Sequence, residues 1–412
     1  MSGSGAELRL DAIREAAGEV STLAWRTPVF DAAWLGEEIG GSVCLKAESL
    51  QRTGSFKVRG VSVKLAEGLE RPDAGVVAAS AGNHGHALAY GAAARGIPCR
   101  VFIPTTASVS KAQAIEAYGA SLEFGGEGIE QCMERAHAYA AEHGATIVHP
   151  FDDPAVVLGQ ATLGLELSEQ LPELAKVVLP IGGGGLAGGV AAALKQLRPE
   201  IAIAGVQAEV CAPVAGAGSS IEDVKFALAD GIAVKRPGAL TAPLLERYVD
   251  EVCTVSEDAI AEAMVELLQR SKLVVEGAGA VAVAALRSGA IAPAETGETV
   301  AVLSGGNVDL SRLSAIARLH EAIGDRSVQI ATRVPDHPGG LVALLARIAA
   351  AGGNVIDVQH IRDIGTRGFH ETRVEMVLEV RGASHREALL AELAGEGYEV
   401  TVLAPTDDDA QP

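Results

Sequence analysis

The 412-residue chain has few aromatic residues, few cysteines and fewer basic than acidic side chains. Aromatic residues make up only 3% of it, so aliphatic side chains must fill the core. It contains no run of about 20 uncharged apolar residues and no apolar signal segment, which predicts a cytosolic protein without a membrane span. The cysteines are odd in number and have no C-x-x-C spacing, which argues against a disulfide framework and a zinc site; they are Cys44, Cys99, Cys132, Cys211 and Cys253.

The formal net charge is −20, from 33 basic and 53 acidic side chains. This excess of negative charge argues against nucleic-acid binding and favours solubility. A hydrophobic content of 48% with 21% charged residues is typical of a globular protein, and the length allows two or three domains. We expect the acidic tail at residues 405–412 to be solvated.

One lysine, Lys57, follows Phe56 in the segment E-S-L-Q-R-T-G-S-F-K-V-R-G, residues 48–60. An amine is a useful nucleophile near neutral pH only if its pKa falls from about 10.4, and apolar neighbours or a nearby cation such as Arg59 lower it. Lys57 is therefore a candidate for forming a Schiff base. The alternative is an ordinary surface lysine in a basic turn, in which Arg52 and Arg59 also face water.

A second segment, Ala78 to Gly96, predicts a buried strand, a turn of small residues and an alanine-rich helix. The turn S-A-G-N-H-G places bare backbone amides at a helix N-terminus, where a carboxylate or phosphate can bind. Asn83 adds a side chain that can bond a phenolic or carbonyl oxygen. His84 and His86 do not share a helix face and have no evident third partner, so we predict no metal site.

A third segment, K-V-V-L-P-I-G-G-G-G-L-A-G-G, starts at Lys176 and again predicts a strand, a glycine loop and a helix. Four successive glycines let the backbone wrap closely around an anion. Gly183, Gly185 and Gly188 also satisfy G-x-G-x-x-G, and the next strand ends at Glu209, which fits a dinucleotide-binding oxidoreductase. A tight turn without a ligand is the least favoured interpretation.

A fourth strand, V-A-V-L, runs into Ser304 in the motif S-G-G-N-V-D. Ligands bind at the carboxyl ends of the strands in open α/β sheets. We therefore expect Lys57, the Asn83 turn, the tetraglycine loop and Ser304 to converge on one site.

Six motifs occur in the order found in the threonine and serine dehydratases: S-F-K-V-R-G, S-A-G-N-H-G, P-F-D-D-P, G-G-G-G-L, V-E-G-A-G and S-G-G-N-V-D. The chain resembles this family over residues 10–315. Because these dehydratases are pyridoxal-phosphate enzymes of fold type II, the resemblance implies a two-lobed α/β region with open, mostly parallel sheets. It implies pyridoxal 5'-phosphate as cofactor and Lys57 as its Schiff-base lysine. It also implies that Phe56 packs beside the cofactor ring, that Asn83 bonds the 3'-oxygen, and that Ser304 lies at the pyridine nitrogen.

The resemblance further implies the phosphate and substrate contacts. The phosphate would be held by the backbone of Gly182, Gly183, Gly184, Gly185 and Leu186. The site for the substrate carboxylate would be lined by Ser80, Ala81, Gly82 and His84. Glu276 in V-E-G-A-G lies at the same edge in relatives, although a carboxylate at a helix start accounts for it nearly as well.

The reaction that the resemblance implies is a β-elimination. A neutral Ser304 hydroxyl at the pyridine nitrogen should stabilise an extended carbanion less than an aspartate would, which favours prompt loss of the β-substituent. Lys57 would remove the α-proton as general base. L-Threonine would then give 2-oxobutanoate and ammonia, and L-serine would give pyruvate.

A serine racemase is the alternative within fold type II. It needs a second acid/base on the opposite face of the carbanion, where related racemases carry a serine and this chain has Ala81. Their divalent-metal site would also be incomplete, because Glu209 matches one ligand but Pro213 and Ala215 leave the acidic ligand missing. We therefore predict elimination and no divalent metal, and a monovalent cation held by backbone carbonyls stays open.

The last part of the chain predicts the order βαββαβ, which is a ferredoxin-like arrangement. Its motifs D-H-P-G-G-L and G-G-N-V-I-D resemble those of ACT domains, which sense amino acids in many enzymes. Pairing would need a second chain, so we expect a homo-oligomer, either a dimer or a tetramer. A dimerisation domain without a ligand is the alternative. An effector such as isoleucine or valine would contact Asp336, Gly339, Leu341 and Asn354.

The predicted domain organisation is a catalytic region at 1–315, a connector at 316–327 and an ACT-like domain at 328–404. A small lobe at 50–150 would face a large lobe that contains the other residues of the catalytic region. Lys57 and Asn83 then lie in the small lobe, and Ser304 lies in the large one. The site should therefore lie in a cleft that closes as the small lobe moves onto substrate.

Overall fold

A computed structural model describes residues 8–216, 227–323, 326–361 and 370–403. The chain divides into two compact units, Met1–Asp309 and Leu310–Pro412. The predicted acidic tail lies outside the described residues, as do residues 324, 325 and 404.

The first unit contains a large, mostly parallel sheet. Its strands, numbered in chain order and given from edge to edge, are β1 (Val29–Asp31), β2 (Ser42–Ala47), β10 (Glu298–Leu303), β7 (Leu174–Pro180), β8 (Ala202–Ala208) and β9 (Glu251–Val255). Strand β1 is antiparallel to β2, and all other neighbours are parallel. The central strands contain continuous apolar runs, because helices cover both faces of a parallel sheet.

The helices of this large lobe are α1 (Leu10–Leu23), α2 (Ala33–Ile39), α7 (Pro154–Gln170), α8 (Gly185–Leu197), α9 (Thr241–Tyr248), α10 (Glu257–Glu266) and α11 (Gly277–Arg287). Helix α7 begins at Pro154 because the Asp153 side chain caps it by accepting from the amides of Ala155 and Val156, and proline is well suited to a first helical turn. Single turns of 3₁₀ helix lie at Glu48–Leu50 and Asp230–Ile232, and a π-helical turn lies at Leu267–Ser271.

The small lobe has a four-stranded, fully parallel sheet in the order β5 (Ser121–Gly126), β4 (Cys99–Pro104), β3 (Val76–Ala79) and β6 (Thr146–Ile147). Its helices are α3 (Lys57–Ala66), α4 (Asn83–Arg95), α5 (Val109–Glu116) and α6 (Ile129–His143). One buried apolar cluster contains side chains of α1, α3, α4 and α7, so the packing is continuous across the predicted lobe boundaries. Two open, mostly parallel sheets within one unit confirm the predicted α/β fold class.

The second unit contains an antiparallel sheet in the order β12 (Asn354–Ile361), β13 (Glu371–Glu379), β11 (Ser327–Pro335) and β14 (Thr401–Val402). Helices α13 (Gly340–Ala350) and α14 (Ala383–Gly395) complete the chain order βαββαβ. Both helices pack on one buried core, which includes Ile330, Leu344, Met376 and Leu389.

Residues 310–323 form helix α12 (Leu310–Ile323), which belongs to this second unit. The sequence motifs instead predict that residues up to 315 belong to the catalytic region and that residues 316–327 form a connector. The apolar residues Leu313 and Ile316 are three positions apart, which is a helical spacing, and Ile316 is buried. No helix in the described part of the chain is long and apolar enough to span a membrane.

Candidate active site

The carboxyl ends of three strands carry the loops that approach one cleft in the first unit. Strand β7 leads into the tetraglycine loop, β10 into Ser304, and β3 into the turn that ends at Asn83. A cavity lies between these loops. It is lined by Phe56, Asn83, Pro180, Gly182, Gly183, Gly184, Gly185, Leu186, Gly231, Ile232, Glu276, Ala278 and Ser304.

The tetraglycine loop forms a backbone cradle at the N-terminus of α8. Gly184 caps this helix with φ of 91°, a left-handed conformation that favours glycine. A Cβ at Gly183 would overlap the ring of Phe151, so the backbone and the ring are in direct contact. The Thr241 hydroxyl donates a hydrogen bond to the Gly183 carbonyl at 2.5 Å, which fixes the loop. The N-terminus of α8, together with this loop, is therefore suited to binding a phosphate.

Lys57 is the first residue of α3 and is partly buried. Its Nζ donates to the Pro150 carbonyl at 2.8 Å and lies 5.0 Å from the centre of the Phe56 ring. Burial lowers the pKa of Lys57 to about 8, and the negative charge of Glu276 opposes this shift. The predicted low pKa of this lysine therefore has a structural cause.

Arg59 does not have the predicted role of lowering the pKa of Lys57. Its side chain is completely buried and pairs with Glu48 and Glu166, so it faces neither water nor the lysine amine. The surface alternative, in which both arginines face water, is also wrong for Arg59, although Arg52 is exposed.

Phe56 and Ser304 connect the two lobes through the backbone. The Phe56 amide donates to the Ser304 carbonyl at 3.1 Å, and an isolated bridge pairs Ser55 with Gly305. Ser304 is 2% exposed, and its hydroxyl donates to the Ala278 carbonyl at 3.4 Å. The backbone of Ser304 therefore lies beside Phe56, the residue before Lys57, although the two segments are far apart in sequence.

Asn83 and Glu276 meet inside the cavity. The Asn83 Nδ2 donates to the Glu276 Oε1 at 2.6 Å, and its Oδ1 accepts from the Asn307 Nδ2 at 2.5 Å. Burial and the charge of Asp230 raise the pKa of Glu276 to about 7, although the Asn83 hydrogen bond and Lys111 lower it. We did not single out Asn307 in the sequence, even though it stands in the same motif as Ser304.

The other residues predicted to contact substrate surround the start of α4. Ser80, Ala81 and Gly82 are partly buried, and the Ser80 hydroxyl accepts from the Gly82 amide at 3.2 Å. His84 is 3% exposed, and its Nε2 lies 2.7 Å from the Val148 carbonyl. Because a carbonyl only accepts, this nitrogen must carry the proton. Burial and the charge of Lys57 lower the pKa of His84 to about 3, so its imidazole is neutral.

Polar contacts also join the lobes around the cleft. Lys111 in the small lobe pairs with Asp230 at 2.9 Å, and Lys235 pairs with Glu130 at 2.6 Å. The Ser110 hydroxyl donates to Asp309 at 2.5 Å. The described structure therefore has the small lobe bonded to the large one, and movement of that lobe on substrate stays a prediction.

The profile of the pyridoxal-phosphate dependent enzyme family matches residues 20–305. This chain belongs to that family. An L-threonine ammonia-lyase of Thermotoga maritima is 40% identical over 403 residues, which is 96% of this chain and 100% of that protein. This membership decides against the oxidoreductase alternative for the glycine loop.

Two solved structures are similar to about three quarters of this chain. A threonine deaminase from T.th. has a TM-score of 0.67 and 38% identity, and the match covers 73% of this chain and 99% of that one. Maize serine racemase has a TM-score of 0.69 and 33% identity, and the match covers 76% of this chain and 98% of the racemase chain. Both activities weighed from the sequence therefore occur among proteins of similar structure.

The cavity residues fit pyridoxal phosphate as cofactor. The glycine cradle lies at a helix N-terminus, and Phe151 and Thr241 pack so closely on Gly183 and Gly184 that neither position has room for a Cβ, which leaves bare backbone at the cavity. The aromatic ring of Phe56 and the buried Ser304 also line this cavity, and the Lys57 amine, with its low pKa, lies 5.0 Å from the centre of that ring. These are the groups that such a cofactor requires for its phosphate, aldehyde, ring face and ring nitrogen.

We predict that the Lys57 amine titrates with a pKa near 8 in the full-length protein freed of cofactor, because burial disfavours its charged form. Competitive acetylation across pH, read by mass spectrometry of the Lys57 peptide, measures this value. Free Nα-acetyl-lysine in the same tube is the control. Titration of Lys57 near the ordinary value of 10.5 would contradict the prediction.

Proposed function

We propose that this protein is an L-threonine ammonia-lyase, which converts L-threonine to 2-oxobutanoate and ammonia and also converts L-serine to pyruvate. The observation that carries the proposal is that the Lys57 amine, with its low pKa, lies 5.0 Å from the centre of the Phe56 ring, which lines one cavity together with the glycine loop and Ser304. The 40% identity to the Thermotoga maritima enzyme over nearly the whole of both chains supports the choice of substrate.

In this proposal the cofactor is held by residues from both lobes. Lys57 would form the covalent link, and the backbone amides from Gly182 to Leu186 would hold the phosphate at the N-terminus of α8. Phe56 would pack beside the ring, Asn83 would bond its 3'-oxygen, and Ser304 would lie at the ring nitrogen. When bound, pyridoxal phosphate withdraws electrons from the α-carbon of the substrate.

Once the substrate amine has replaced Lys57 in its link to the cofactor, the freed Lys57 amine acts as the general base that takes the proton from the α-carbon. With a pKa of about 8, roughly one tenth of such an amine is unprotonated at pH 7, which is enough to accept a proton. An exposed lysine would be unprotonated about two hundred times less often. Burial of this amine therefore prepares it for proton transfer.

Ser304 favours elimination over other outcomes. Its hydroxyl carries no negative charge, so at the ring nitrogen it would not hold a proton there as a carboxylate would. Electron withdrawal is then weaker, and departure of the β-hydroxyl competes well with reprotonation of the α-carbon.

The substrate carboxylate is proposed to bind at the start of α4, where Ser80, Ala81 and Gly82 surround the first amides of the helix. His84 supports this turn through the Val148 carbonyl. Glu276 is a further candidate contact, because its carboxyl group lines the cavity beside Asn83.

A serine racemase is the second candidate, because maize serine racemase is a structural neighbour at 33% identity. Ala81 has no proton to donate and packs against an apolar cluster, which argues against a second acid/base at that position. The loop after β8 is held by protein atoms, since Gln207 Oε1 accepts from the amides of Val214 and Ala215 at 2.9 and 3.0 Å. Both observations favour the lyase.

The second unit is proposed to be an ACT-like regulatory domain that binds an amino acid between two chains. Asp336 and Gly339 lie in the exposed turn before α13, Leu341 packs on the core, and Asn354 begins β12. Pro335 pairs with the first residue of β13, whereas Asn354 pairs with its last residue. The turn and Asn354 are therefore about 27 Å apart along one strand, and a single copy does not bring them together.

A second chain could place the turn of one copy beside Asn354 of the other. Ile356 and Val358 are exposed on β12, which is an edge strand among those that the structure describes. An exposed edge with apolar side chains favours strand pairing with another chain. We therefore propose a homo-oligomer. The five cysteines all lie in the described residues and form no disulfide, which supports a reducing cytoplasm as the location of the protein.

We predict that Lys57→Ala lowers the rate of 2-oxobutanoate formation from L-threonine by about 10²- to 10⁴-fold, since the general base is lost. Lys176→Ala is the matched control, because this lysine bonds Glu251 and the Ala292 carbonyl and contacts no residue that lines the cavity through these bonds. The assay measures 2-oxo acid release, with chiral analysis of residual serine in parallel. D-Serine as the main product from L-serine would favour the racemase, and no release from either substrate would contradict the proposal.

We predict that Asn354→Ala weakens binding of isoleucine or valine by about tenfold, as expected for loss of one hydrogen-bonding side chain. Calorimetric titration of the full-length protein measures binding, and threonine saturation curves measure its effect on activity. Glu387→Ala, an exposed position on α14, is the control. Failure of the unmodified protein to bind either amino acid would leave a dimerisation domain as the better description.

A further inference from the structure

Four charged side chains pack together in the interior of the first unit, and one of them, Arg59, is two residues after Lys57 in the sequence. Arg59, Lys46 and Glu48 are completely buried, and the Glu166 side chain is 16% exposed. None of these side chains lines the cavity. The proposed chemistry therefore does not use them directly, although burying charge is costly.

Arg59 is held between two carboxylates. Its Nε and Nη2 each donate at 2.7 Å to the two oxygens of Glu48. Its Nη1 and Nη2 donate at 2.6 and 3.0 Å to the two oxygens of Glu166. Each carboxylate thus makes the paired contact for which a planar guanidinium is suited and a lysine is not.

Lys46 completes the cluster. Its three donors go to Glu166 Oε2 at 2.7 Å, Gln170 Oε1 at 2.7 Å and the Thr27 carbonyl at 2.8 Å. Burial lowers the pKa of Lys46, and the two carboxylates oppose that shift. Two cations and two anions therefore share one buried volume, and their charges sum to zero.

The cluster connects the elements that determine where Lys57 lies. Arg59 is on α3, and Lys57 is the first residue of this helix. No side chain caps the N-terminus of α3. Glu166 is on α7, which starts shortly after the Pro150 carbonyl that holds the lysine amine. A Cβ at Gly159 would overlap the backbone of Arg59, so the two helices touch directly at this point.

The charge of Glu276 raises the pKa of Lys57, and the charge of Lys57 lowers the pKa values of His84 and His149. No member of the cluster is among these groups. An isolated Arg59 cation would repel a protonated Lys57, and an isolated carboxylate would attract it. A neutral cluster avoids both effects while it still makes strong directional bonds.

We propose that Arg59, held by Glu48 and Glu166, is a positioning residue for Lys57, and that Lys46 balances the cluster so that it fixes α3 without adding net charge. The inference rests on the proposed role of Lys57 as the cofactor lysine. It extends that role to four residues that do not touch the cavity.

The test of charge balance uses Lys46→Met, Glu166→Gln and the double variant. Lys46→Met leaves a net charge of −1, which should raise the pKa of Lys57, and Glu166→Gln leaves +1, which should lower it. We expect opposite shifts of about half a unit and a return to the original value in the double variant. Competitive acetylation of Lys57 in the full-length protein freed of cofactor measures these shifts, with Lys176→Met as control.

Shifts in the same direction, or no shift in either single variant, would overturn the charge-balance part of the proposal. The acetylation series uses no substrate, so its outcome is independent of whether threonine is turned over. A merely structural role would lower stability in both single variants without producing shifts of opposite sign. Circular dichroism of each variant establishes that it is folded.

Arg59→Lys tests positioning, because lysine keeps the charge and loses the planar pairs. We expect kcat for L-threonine to fall at least about tenfold while KM stays within about twofold, since the base is displaced and substrate contacts remain. Affinity for pyridoxal phosphate, measured by absorbance, should also fall. Unchanged kcat and cofactor affinity would overturn the positioning role.

Discussion

Burial of the Lys57 amine is the constraint on which the catalytic unit depends. An ammonium group loses favourable hydration when it leaves water, so the amine is held by one carbonyl and its pKa falls to about 8. The same burial requires that the backbone around it be fixed. Bonds from Phe56 to Ser304 and from Lys57 to Pro150 attach the start of α3 to loops from both neighbouring regions. Burial of the Lys57 amine thus accounts both for its low pKa and for the fixed backbone at the start of α3.

Backbone geometry brings distant segments into one site. Parallel strands place their carboxyl ends at one edge of a sheet, so the loops after β7 and β10 of the large sheet meet at the cavity, and the loop after β3 reaches it from the small-lobe sheet. The sequence predicted that the glycine loop and Ser304 lie at a ligand-binding edge, because a buried strand that runs into small residues is typical of such an edge, and both line the cavity. Family membership then identifies the cofactor, whereas the individual contacts stay predictions that the geometry supports.

Side-chain partners could not be predicted in the same way. Arg59 was expected to act on Lys57, yet it turns to Glu48 and to Glu166, which is 107 positions away. Asn307 was missed because its bonds to Asn83 and to the Thr53 carbonyl join residues more than 200 positions apart. In the second unit, the βαββαβ order was readable from alternating and helical patterns. The separation of Asn354 from the Asp336 turn depends on strand register, which the sequence does not reveal.

The most direct test of the central claim is reduction of the purified protein with borohydride, followed by mass analysis of its peptides. If Lys57 carries pyridoxal phosphate, the yellow absorbance disappears on reduction and the peptide with Lys57 gains the mass of the reduced cofactor. Reduced cofactor on another lysine, or a protein that neither contains nor takes up pyridoxal phosphate, would contradict the account.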